Sequence, residues 1–151
     1  MPRLVLVRHA KSSWSTGAGD RERPLDDRGR EQAALMRDHI ATLDLAAPRV
    51  LVSSALRTRE TWKAIATACP GARAEVRDDL YLADAKAYSA AINEHEGDTV
   101  LVGHNPTCAE LLSAWGTGDG KYPTGSISVF ERGSPPRLVS FASPRMLAER
   151  V

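Results

Sequence analysis

The chain has 151 residues, 42% of them hydrophobic, and is therefore expected to form a single domain over residues 1–151 around one core. Its 20 lysines and arginines nearly balance 19 aspartates and glutamates, and the net charge of +1 argues against nucleic acid or an anionic membrane as a partner. No apolar run approaches the roughly 20 residues that cross a bilayer, and the N-terminus leads directly into a strand-like segment, so a cytoplasmic protein is expected.

The first half of the chain alternates between strand and helix signals. Residues 4–7 and 50–52 are short apolar runs rich in β-branched side chains, which is typical of strands buried on both faces. A second helix signal begins near Ser54 and ends where Pro70-Gly71 stops it. The first helix is predicted between the two strands, behind the capping pair Asp26-Asp27, from apolar residues at steps of three and four: Ala33, Met36, Ile40 and Leu43.

The second half repeats the alternation and then changes character. Helices are predicted over Ala85–Glu94 and Thr107–Trp115, with a third central strand over residues 100–102 between them. Two alternating segments, Ser126–Glu131 and Arg137–Phe141, are separated by a Gly-Ser-Pro-Pro turn and predict an antiparallel edge. The chain is therefore predicted to have an α/β fold with a mostly parallel sheet.

The two cysteines, Cys69 and Cys108, lie far apart in the sequence, form no CxxC pair and have no histidine at zinc-binding spacing. This pattern disfavours a redox motif and a structural metal site. Both are expected to be ordinary thiols, and we expect no metal and no cofactor.

Polar side chains follow each of the three predicted central strands. Arg8-His9 comes after the first strand, residues 53–57 with Arg57 come after the second, and Gly103-His104-Asn105 comes after the third. Ligands bind outside the carboxyl ends of the strands in open parallel sheets, so these residues are expected to share one cationic pocket.

The residue types in this pocket suit a phosphoryl group. The guanidinium groups of Arg8 and Arg57 match the geometry of phosphate oxygens and keep their charge. A neutral imidazole can attack phosphorus, and a phosphohistidine intermediate divides one difficult transfer into two easier steps. On this ground alone, either His9 or His104 could be the nucleophile.

These motifs also resemble a known family. Residues 4–14, LVLVRHAKSSW, look like the N-terminal signature of the histidine phosphatase superfamily, with Ala10 where many members carry glycine. The pieces that follow in the family's order are residues 20–25, Arg28-Gly29, residues 53–61 and the Gly-His-Asn-Pro of residues 103–106. The Arg-His-Ala-Lys-Ser and Gly-His-Asn-Pro versions are most similar to the SixA-type phosphohistidine phosphatase branch. The resemblance covers nearly the whole chain and implies a phosphoglycerate mutase-like fold, a three-layer αβα sandwich, with metal-independent phosphohydrolase activity.

The resemblance also implies roles for individual residues. His9 becomes phosphorylated, Arg8 and Arg57 bind the phosphoryl oxygens, and His104 supplies a further donor. Thr124-Gly125-Ser126 is similar to the segment that closes the family's pocket late in the chain. The remaining expectations concern residues beside this group: Lys11, Ser12, Arg23 and Asn105 as substrate-binding residues, Trp14 as a packing or rim residue, and His39 and His95 as exposed helical residues outside the pattern.

One departure from the family concerns the general acid. Many members carry a glutamate soon after the segment equivalent to Asp78-Asp79-Leu80, whereas this chain continues Tyr81-Leu82-Ala83. SixA-like sequences share this lack. Asp20 is the nearest alternative acid that the resemblance offers, although an aspartate in such a turn commonly bonds its own backbone, and Asp84 is the next candidate.

The leading prediction is a SixA-like protein phosphohistidine phosphatase, and the substrate is expected to be a phosphorylated protein or a small phosphorylated metabolite. A small-molecule phosphatase or a phosphomutase of the same fold is an alternative, although a mutase needs an enclosing lid and the chain has no long insertion to build one. A noncatalytic phosphate-binding module is a further alternative, but a binder does not need a nucleophile. A metallohydrolase built on His9 and His104 is disfavoured because no carboxylate or third histidine stands at ligand spacing.

Overall fold

The computed structural model describes residues 1–150, which form one sheet with helices on both faces. The strands are β1 (Arg3–Arg8), β2 (Arg49–Ser53), β3 (Arg73–Arg77), β4 (Thr99–Gly103), β5 (Ile127–Glu131) and β6 (Arg137–Ala142). The helices are α1 (Asp27–Ala41), α2 (Leu56–Ile65), α3 (Ala85–Ile92), α4 (Thr107–Trp115) and α5 (Pro144–Glu149). Three short 3₁₀ turns cover Asp20–Glu22, Ala66–Ala68 and Asp78–Leu80.

The sheet has the strand order β3-β2-β4-β1-β5-β6. The first four strands along this order are mutually parallel, whereas β5 and β6 run antiparallel at the other edge. The predicted α/β class, the mostly parallel sheet and the antiparallel edge near the C-terminus are thus confirmed. The three apolar runs are adjacent central strands, β2, β4 and β1, as their burial on both faces requires.

Alternate side chains of the strands enter two hydrophobic cores, one on each face of the sheet. Val5 and Val7 of β1 pack in the core that α1 and α2 cover, with Met36 and Ile40 among its buried members. The other face, with Leu4, Leu6 and Leu101 of the strands, is covered by α3 and α4, and α5 packs on α1. Helix, sheet and helix therefore form the three layers that the resemblance implies.

The helix starts follow from their capping residues. Asp26 accepts a hydrogen bond from the backbone N–H of Gly29 at 2.8 Å and begins α1, as predicted, although α1 ends at Ala41 and leaves Leu43 outside it. Asp84 caps α3 in the same way through the N–H of Ala87 at 2.9 Å. The predicted helix over Thr107–Trp115 coincides with α4.

The sequence patterns missed two elements, β3 and α5. The β3 strand reads Arg-Ala-Glu-Val-Arg and lies at the sheet edge, where four of its five residues are exposed, so it lacks an apolar run. The α5 helix has only six residues, and its start depends on Ser143, whose side chain accepts from the N–H of Met146. Both elements are short and have few buried side chains, so their sequences contain little of the hydrophobic periodicity that predicts a strand or a helix.

The strand register brings the polar strand ends together. Arg8 of β1 is directly opposite Gly103 of β4, and Val52 of β2 is opposite Val102 of β4. The residues that follow these strands therefore start from one edge of the sheet. Among residues 1–150, no helix combines the length and apolar character that a membrane crossing needs.

Candidate active site

A pocket of about 470 Å³ opens at the carboxyl ends of β1, β2 and β4. Eight of the nine residues predicted for the site line it, namely Arg8, His9, Lys11, Ser12, Arg23, Arg57, His104 and Asn105. Asp20, the ninth, contacts two of these residues from the side. The other lining residues are Trp14, Leu82, Ala83, Asp84, Pro106, Thr107, Glu110 and Thr124.

Backbone hydrogen bonds fix the segment that carries His9. The N–H of His9 donates to the carbonyl of Gly103 at 3.1 Å, which extends the β1–β4 pairing by one step. The N–H of Gly125 donates to the carbonyl of His9 at 2.9 Å, and Gly125 has a φ of 76° that favours glycine. The segment Thr124-Gly125-Ser126 therefore lies against the end of β1, and Thr124 lines the pocket.

The imidazole of His9 is buried and held by one ring nitrogen. Its Nδ1 lies 2.7 Å from the carbonyl oxygen of Ala10, and because a carbonyl can only accept, Nδ1 carries the proton. The pKa of His9 is lowered to about 3, chiefly by burial; the hydrogen bond to Ala10 raises it, and His104, Arg8 and Arg57 contribute to the lowering. The ring is therefore neutral at physiological pH, and the lone pair of its Nε2 is left for a reacting group.

Arg8 and Arg57, together with Arg23 and Lys11, supply the positive charge of the pocket. Arg8 donates through Nη1 to the carbonyl of Tyr122 at 2.9 Å, and Arg57 donates through Nη1 to the carbonyl of Asp20 at 2.7 Å. The Nε–H groups of both arginines are buried without a partner among residues 1–150. Buried donors on charged groups are costly unless they are paired, so this arrangement fits an anionic ligand.

His104 stands beside His9 with 5.4 Å between the ring centroids. Its backbone N–H donates to the hydroxyl of Tyr88 at 2.9 Å, and its Nε2 is 2.7 Å from the hydroxyl oxygen of Ser53. Burial lowers the pKa of His104 to about 4, and the positive charge of Arg57 acts in the same direction. A second neutral imidazole thus faces the pocket.

Asp20 is bound by its surroundings as an anion. Its carboxylate accepts from Nε of Arg23 at 3.3 Å, from Nη2 of Arg57 at 3.2 Å and from the hydroxyl of Tyr81 at 2.5 Å. The hydrogen bond from Tyr81 is the largest cause that lowers the pKa of Asp20 to about 2, and Arg57 and Arg23 add to it. In this arrangement Asp20 holds no proton at neutral pH. Its expected role as a general acid stays a prediction, and it requires that Asp20 leave these partners when substrate binds.

The remaining predicted residues lie around this centre. Arg23 donates to the hydroxyl of Ser12 at 2.8 Å, and its guanidinium stacks on the ring of Trp14 at 3.5 Å from the centroid. Asn105 donates to the carbonyl of Tyr122 at 3.0 Å, which Arg8 also contacts. Lys11 extends at the rim, where its Nζ lies 4.0 Å from a carboxylate oxygen of Asp26.

Sequence reasoning missed two contacts of the site: Ser53 bonds to His104, and Tyr81 bonds to Asp20. Ser53 lies in the polar segment predicted after the second strand and Tyr81 in the segment that lacks the family's glutamate, but no role was expected for either residue. His39 in α1 and His95, which follows α3, lie outside the pocket. His39 is helical, as expected, but His95 is not, and both are half-buried rather than exposed because tertiary packing covers them.

The cysteines lie outside the group of polar residues. Cys69 and Cys108 are both buried and unpaired within the described part of the chain. Burial raises the pKa of each thiol, which keeps it protonated. Within residues 1–150, no three His, Cys, Asp or Glu side chains are grouped so that they could hold a metal ion.

Known proteins resemble this chain in sequence and in structure. The family model of the histidine phosphatase superfamily, branch 1, matches residues 4–85. An uncharacterised protein of Mycobacterium tuberculosis is 33% identical over 138 residues, which cover 82% of this chain and 85% of that protein.

Two solved structures share the fold over nearly their full lengths. The provisionally named phosphohistidine phosphatase SixA from Agrobacterium tumefaciens superposes with a TM-score of 0.84 at 31% identity, covering 95% of this chain and 99% of that chain. A protein histidine phosphatase SixA solved in complex with tungstate gives a TM-score of 0.81 at 22% identity, with 95% and 97% covered, and shows the fold alone.

Proposed function

This chain belongs to the histidine phosphatase superfamily and is a phosphatase, and from that premise we propose that it hydrolyses phosphohistidine in proteins through a covalent intermediate on His9. The observation that carries the proposal is the state of His9. A neutral ring whose Nδ1–H is fixed by the carbonyl of Ala10 offers its Nε2 lone pair beside two arginines with unpartnered N–H groups. A nucleophile and an anion-binding group thus occupy the same pocket.

The proposed reaction has two steps. The Nε2 of His9 attacks the phosphorus of the substrate, a P–N bond to His9 forms, and the P–N bond to the substrate imidazole breaks, so the leaving ring departs with its own bonding electrons. Water then attacks phosphorus, the bond to His9 breaks, and inorganic phosphate leaves while Nε2 regains its lone pair. Arg8, Arg57 and His104 donate to the oxygens on which negative charge is concentrated in both transition states.

The groups available as an acid favour phosphohistidine over an alkyl phosphate. An alkoxide leaving group needs a proton from a positioned acid, whereas a phosphohistidine ring can already be protonated near neutral pH and leave as a neutral heterocycle. Asp20 is held as an anion between two arginines, and the carboxylate of Asp84 is engaged in capping α3. Glu110 also lines the pocket, from an exposed position on α4. With both predicted acids engaged in other contacts, a leaving group that needs little help suits the site better.

The mouth of the pocket favours a protein substrate. Trp14 is 78% exposed and Leu82 is 83% exposed, and both line the pocket. Side chains in such exposed positions do not enclose a small metabolite, as a mutase requires, but they can contact a surface that surrounds the phosphorylated residue. The proposed partner is thus a phosphorylated protein. The cytoplasm remains the compartment expected from the sequence.

A structural relative supports the same choice. The neighbour from Agrobacterium tumefaciens, at 31% identity, bears the name of a phosphohistidine phosphatase. A noncatalytic phosphate-binding module would use the same arginines but would not need a neutral, oriented imidazole at the centre of the pocket.

A substrate comparison tests the proposal. Purified protein is assayed with a phosphohistidine protein domain, a phosphohistidine peptide, phosphoserine and phosphotyrosine peptides and sugar phosphates, always in the presence of a chelator. We expect kcat/KM for the phosphohistidine domain to exceed that for phosphoserine by about 10²-fold or more, with the peptide in between, and vanadate to inhibit. A preference for sugar phosphates, or activity that depends on an added metal, would contradict the proposal.

A further inference from the structure

The side chain of Ser53 makes one hydrogen bond, and its partner is His104. Ser53 is the last residue of β2 and is completely buried, and its hydroxyl oxygen lies 2.7 Å from Nε2 of His104. No other partner of this hydroxyl is found among residues 1–150. The backbone of His104 is held separately, since its N–H donates to Tyr88. Among the described residues, the hydroxyl of Ser53 therefore forms its hydrogen bond with the ring of His104 alone.

The direction of this hydrogen bond follows from burial. If Nε2 of His104 carried the proton and donated to Ser53, the hydroxyl proton of Ser53 would be buried without any acceptor, which is costly. If Ser53 donates instead, its proton is paired with the Nε2 lone pair. The proton of the neutral ring then lies on Nδ1, the other ring nitrogen of a residue that lines the pocket.

Burial and the neighbouring charges keep the ring of His104 neutral. Burial disfavours the imidazolium most, Arg57, Arg8 and Arg23 act in the same direction, and the carboxylate of Asp20 opposes them. A neutral imidazole has one N–H donor only, so the choice of tautomer decides whether the ring offers a proton or a lone pair to an oxyanion.

We propose that Ser53 is a positioning residue that fixes His104 in the Nδ1–H tautomer, so that His104 donates to a phosphoryl oxygen through Nδ1. The catalytic importance of this tautomer rests on the proposed function. Both neighbouring histidines are then protonated on Nδ1, but they present opposite ring nitrogens to the ligand. His9 uses its Nδ1–H to bind Ala10 and presents the Nε2 lone pair, whereas His104 uses its Nε2 lone pair to bind Ser53 and presents Nδ1–H.

The first test reads the tautomers directly. Long-range ¹H–¹⁵N correlation spectra of the ligand-free protein at neutral pH distinguish a protonated from an unprotonated ring nitrogen, with His104→Gln and His9→Gln used for assignment. We expect a protonated Nδ1 on both rings in the wild type. A His104 ring protonated on Nε2 in the wild type would overturn the proposal, whatever activity the protein has, and activity on phosphohistidine is measured separately.

The second test compares three substitutions at Ser53. Ser53→Thr keeps the hydroxyl donor, Ser53→Cys keeps the size with a much weaker donor, and Ser53→Ala removes the donor. We expect Ser53→Ala and Ser53→Cys to move His104 toward the Nε2–H tautomer and to lower kcat by about tenfold or more, with His9 unchanged in the spectra. Ser53→Thr should retain the wild-type tautomer and most of the activity.

Comparing Ser53→Cys with Ser53→Thr distinguishes hydrogen-bond donation by residue 53 from its packing. If Ser53 only fills space, Ser53→Cys keeps the wild-type tautomer and kcat, and that result would overturn the proposal. Thermal unfolding of each variant shows whether a loss of activity reflects a loss of fold. Tyr88→Phe, which removes the bond to the backbone of His104 but not to its ring, should leave the tautomer of His104 unchanged.

Discussion

The carboxylate of Asp20 contacts the same guanidinium groups that a phosphoryl group would bind. It accepts from Arg57 and Arg23 while Tyr81 holds it from the other side. An anionic ligand must therefore compete with Asp20 for Arg57. This contact could not be expected from the sequence, because it depends on how the loop after Gly17 folds back onto α2.

We predict that Asp20→Asn strengthens vanadate binding by about tenfold, because it removes the negative charge that competes for Arg57. Inhibition constants measured with p-nitrophenyl phosphate as substrate check this. Asp84→Asn is the matched control, since it removes a charge from the same pocket while asparagine still caps α3, and we expect a change of less than about twofold.

The same variant also tests the alternative role of Asp20. If Asp20 were the general acid, Asp20→Asn would slow hydrolysis of an alkyl phosphate such as phosphoserine by about 10²-fold, while phosphohistidine and p-nitrophenyl phosphate would fall much less. The geometry leads us to expect no such selective loss. A selective loss on the alkyl ester would show that Asp20 leaves Arg57 and donates a proton when substrate binds.

At the scale of whole elements, the loop after β1 packs directly on the first turn of α1. Asp26 donates its backbone N–H to the carbonyl of Lys11 at 3.1 Å, and a Cβ at Gly29 would lie 2.0 Å from that carbonyl oxygen. Backbone on both sides leaves no flexible group to move aside. The Arg28-Gly29 piece of the family pattern thus has a structural reason, which is the approach of α1 to the loop that carries Lys11 and Ser12.

We predict that Gly29→Ala lowers the free energy of unfolding by about 2–3 kcal/mol, because the loop and α1 must separate to admit the methyl group. Urea unfolding measures the change. Gly19→Ala is the control, because its Cβ would meet no atom within 4 Å, and it should change stability by less than about 0.5 kcal/mol. Equal stability of Gly29→Ala and the wild type would show that this approach is not required in solution.

The elements differ in how far their sequence determines them. The strands β1, β2 and β4 were predictable because burial on both faces demands apolar runs, and their parallel order then places Arg8, Arg57 and His104 at one edge. The edge strand β3 was not predictable, since Arg73–Arg77 is mostly exposed and charged. The contacts of Ser53 and Tyr81 were hidden for another reason: they join residues that are distant in sequence, and no local periodicity encodes them.

For the whole molecule, the two buried histidines make stability depend on pH. The pKa values of His9 and His104 are lowered to about 3 and about 4, against about 6.5 in an unfolded chain. As the pH falls below 6.5, both histidines become protonated in the unfolded chain but stay neutral in the folded protein. The free energy of unfolding therefore decreases progressively until the pH reaches the pKa values of the folded state. The lowered pKa of Asp20 affects the free energy of unfolding only below about pH 4, where the carboxylate becomes protonated in the unfolded chain.

We predict that His9 alone removes about 2–3 kcal/mol of stability between pH 7 and pH 4.5. Urea unfolding of the wild type and of His9→Gln at several pH values measures this, because glutamine does not titrate. The wild type should show the steeper loss of stability with falling pH. Parallel curves for the two proteins would mean that the ring of His9 is protonated freely in the folded state.

The residue that carries the phosphoryl group can be identified directly. Wild-type protein is mixed briefly with labelled phosphohistidine protein or phosphoramidate, quenched in alkali and mapped by mass spectrometry. Two variants accompany it: His9→Gln, and as a control His95→Gln, which alters a histidine outside the pocket. We predict an acid-labile, base-stable phosphoryl group on His9 in the wild type and in His95→Gln, and none in His9→Gln that is still folded. A phosphoryl group on another residue, or a phosphoenzyme that still forms in His9→Gln, would contradict the account.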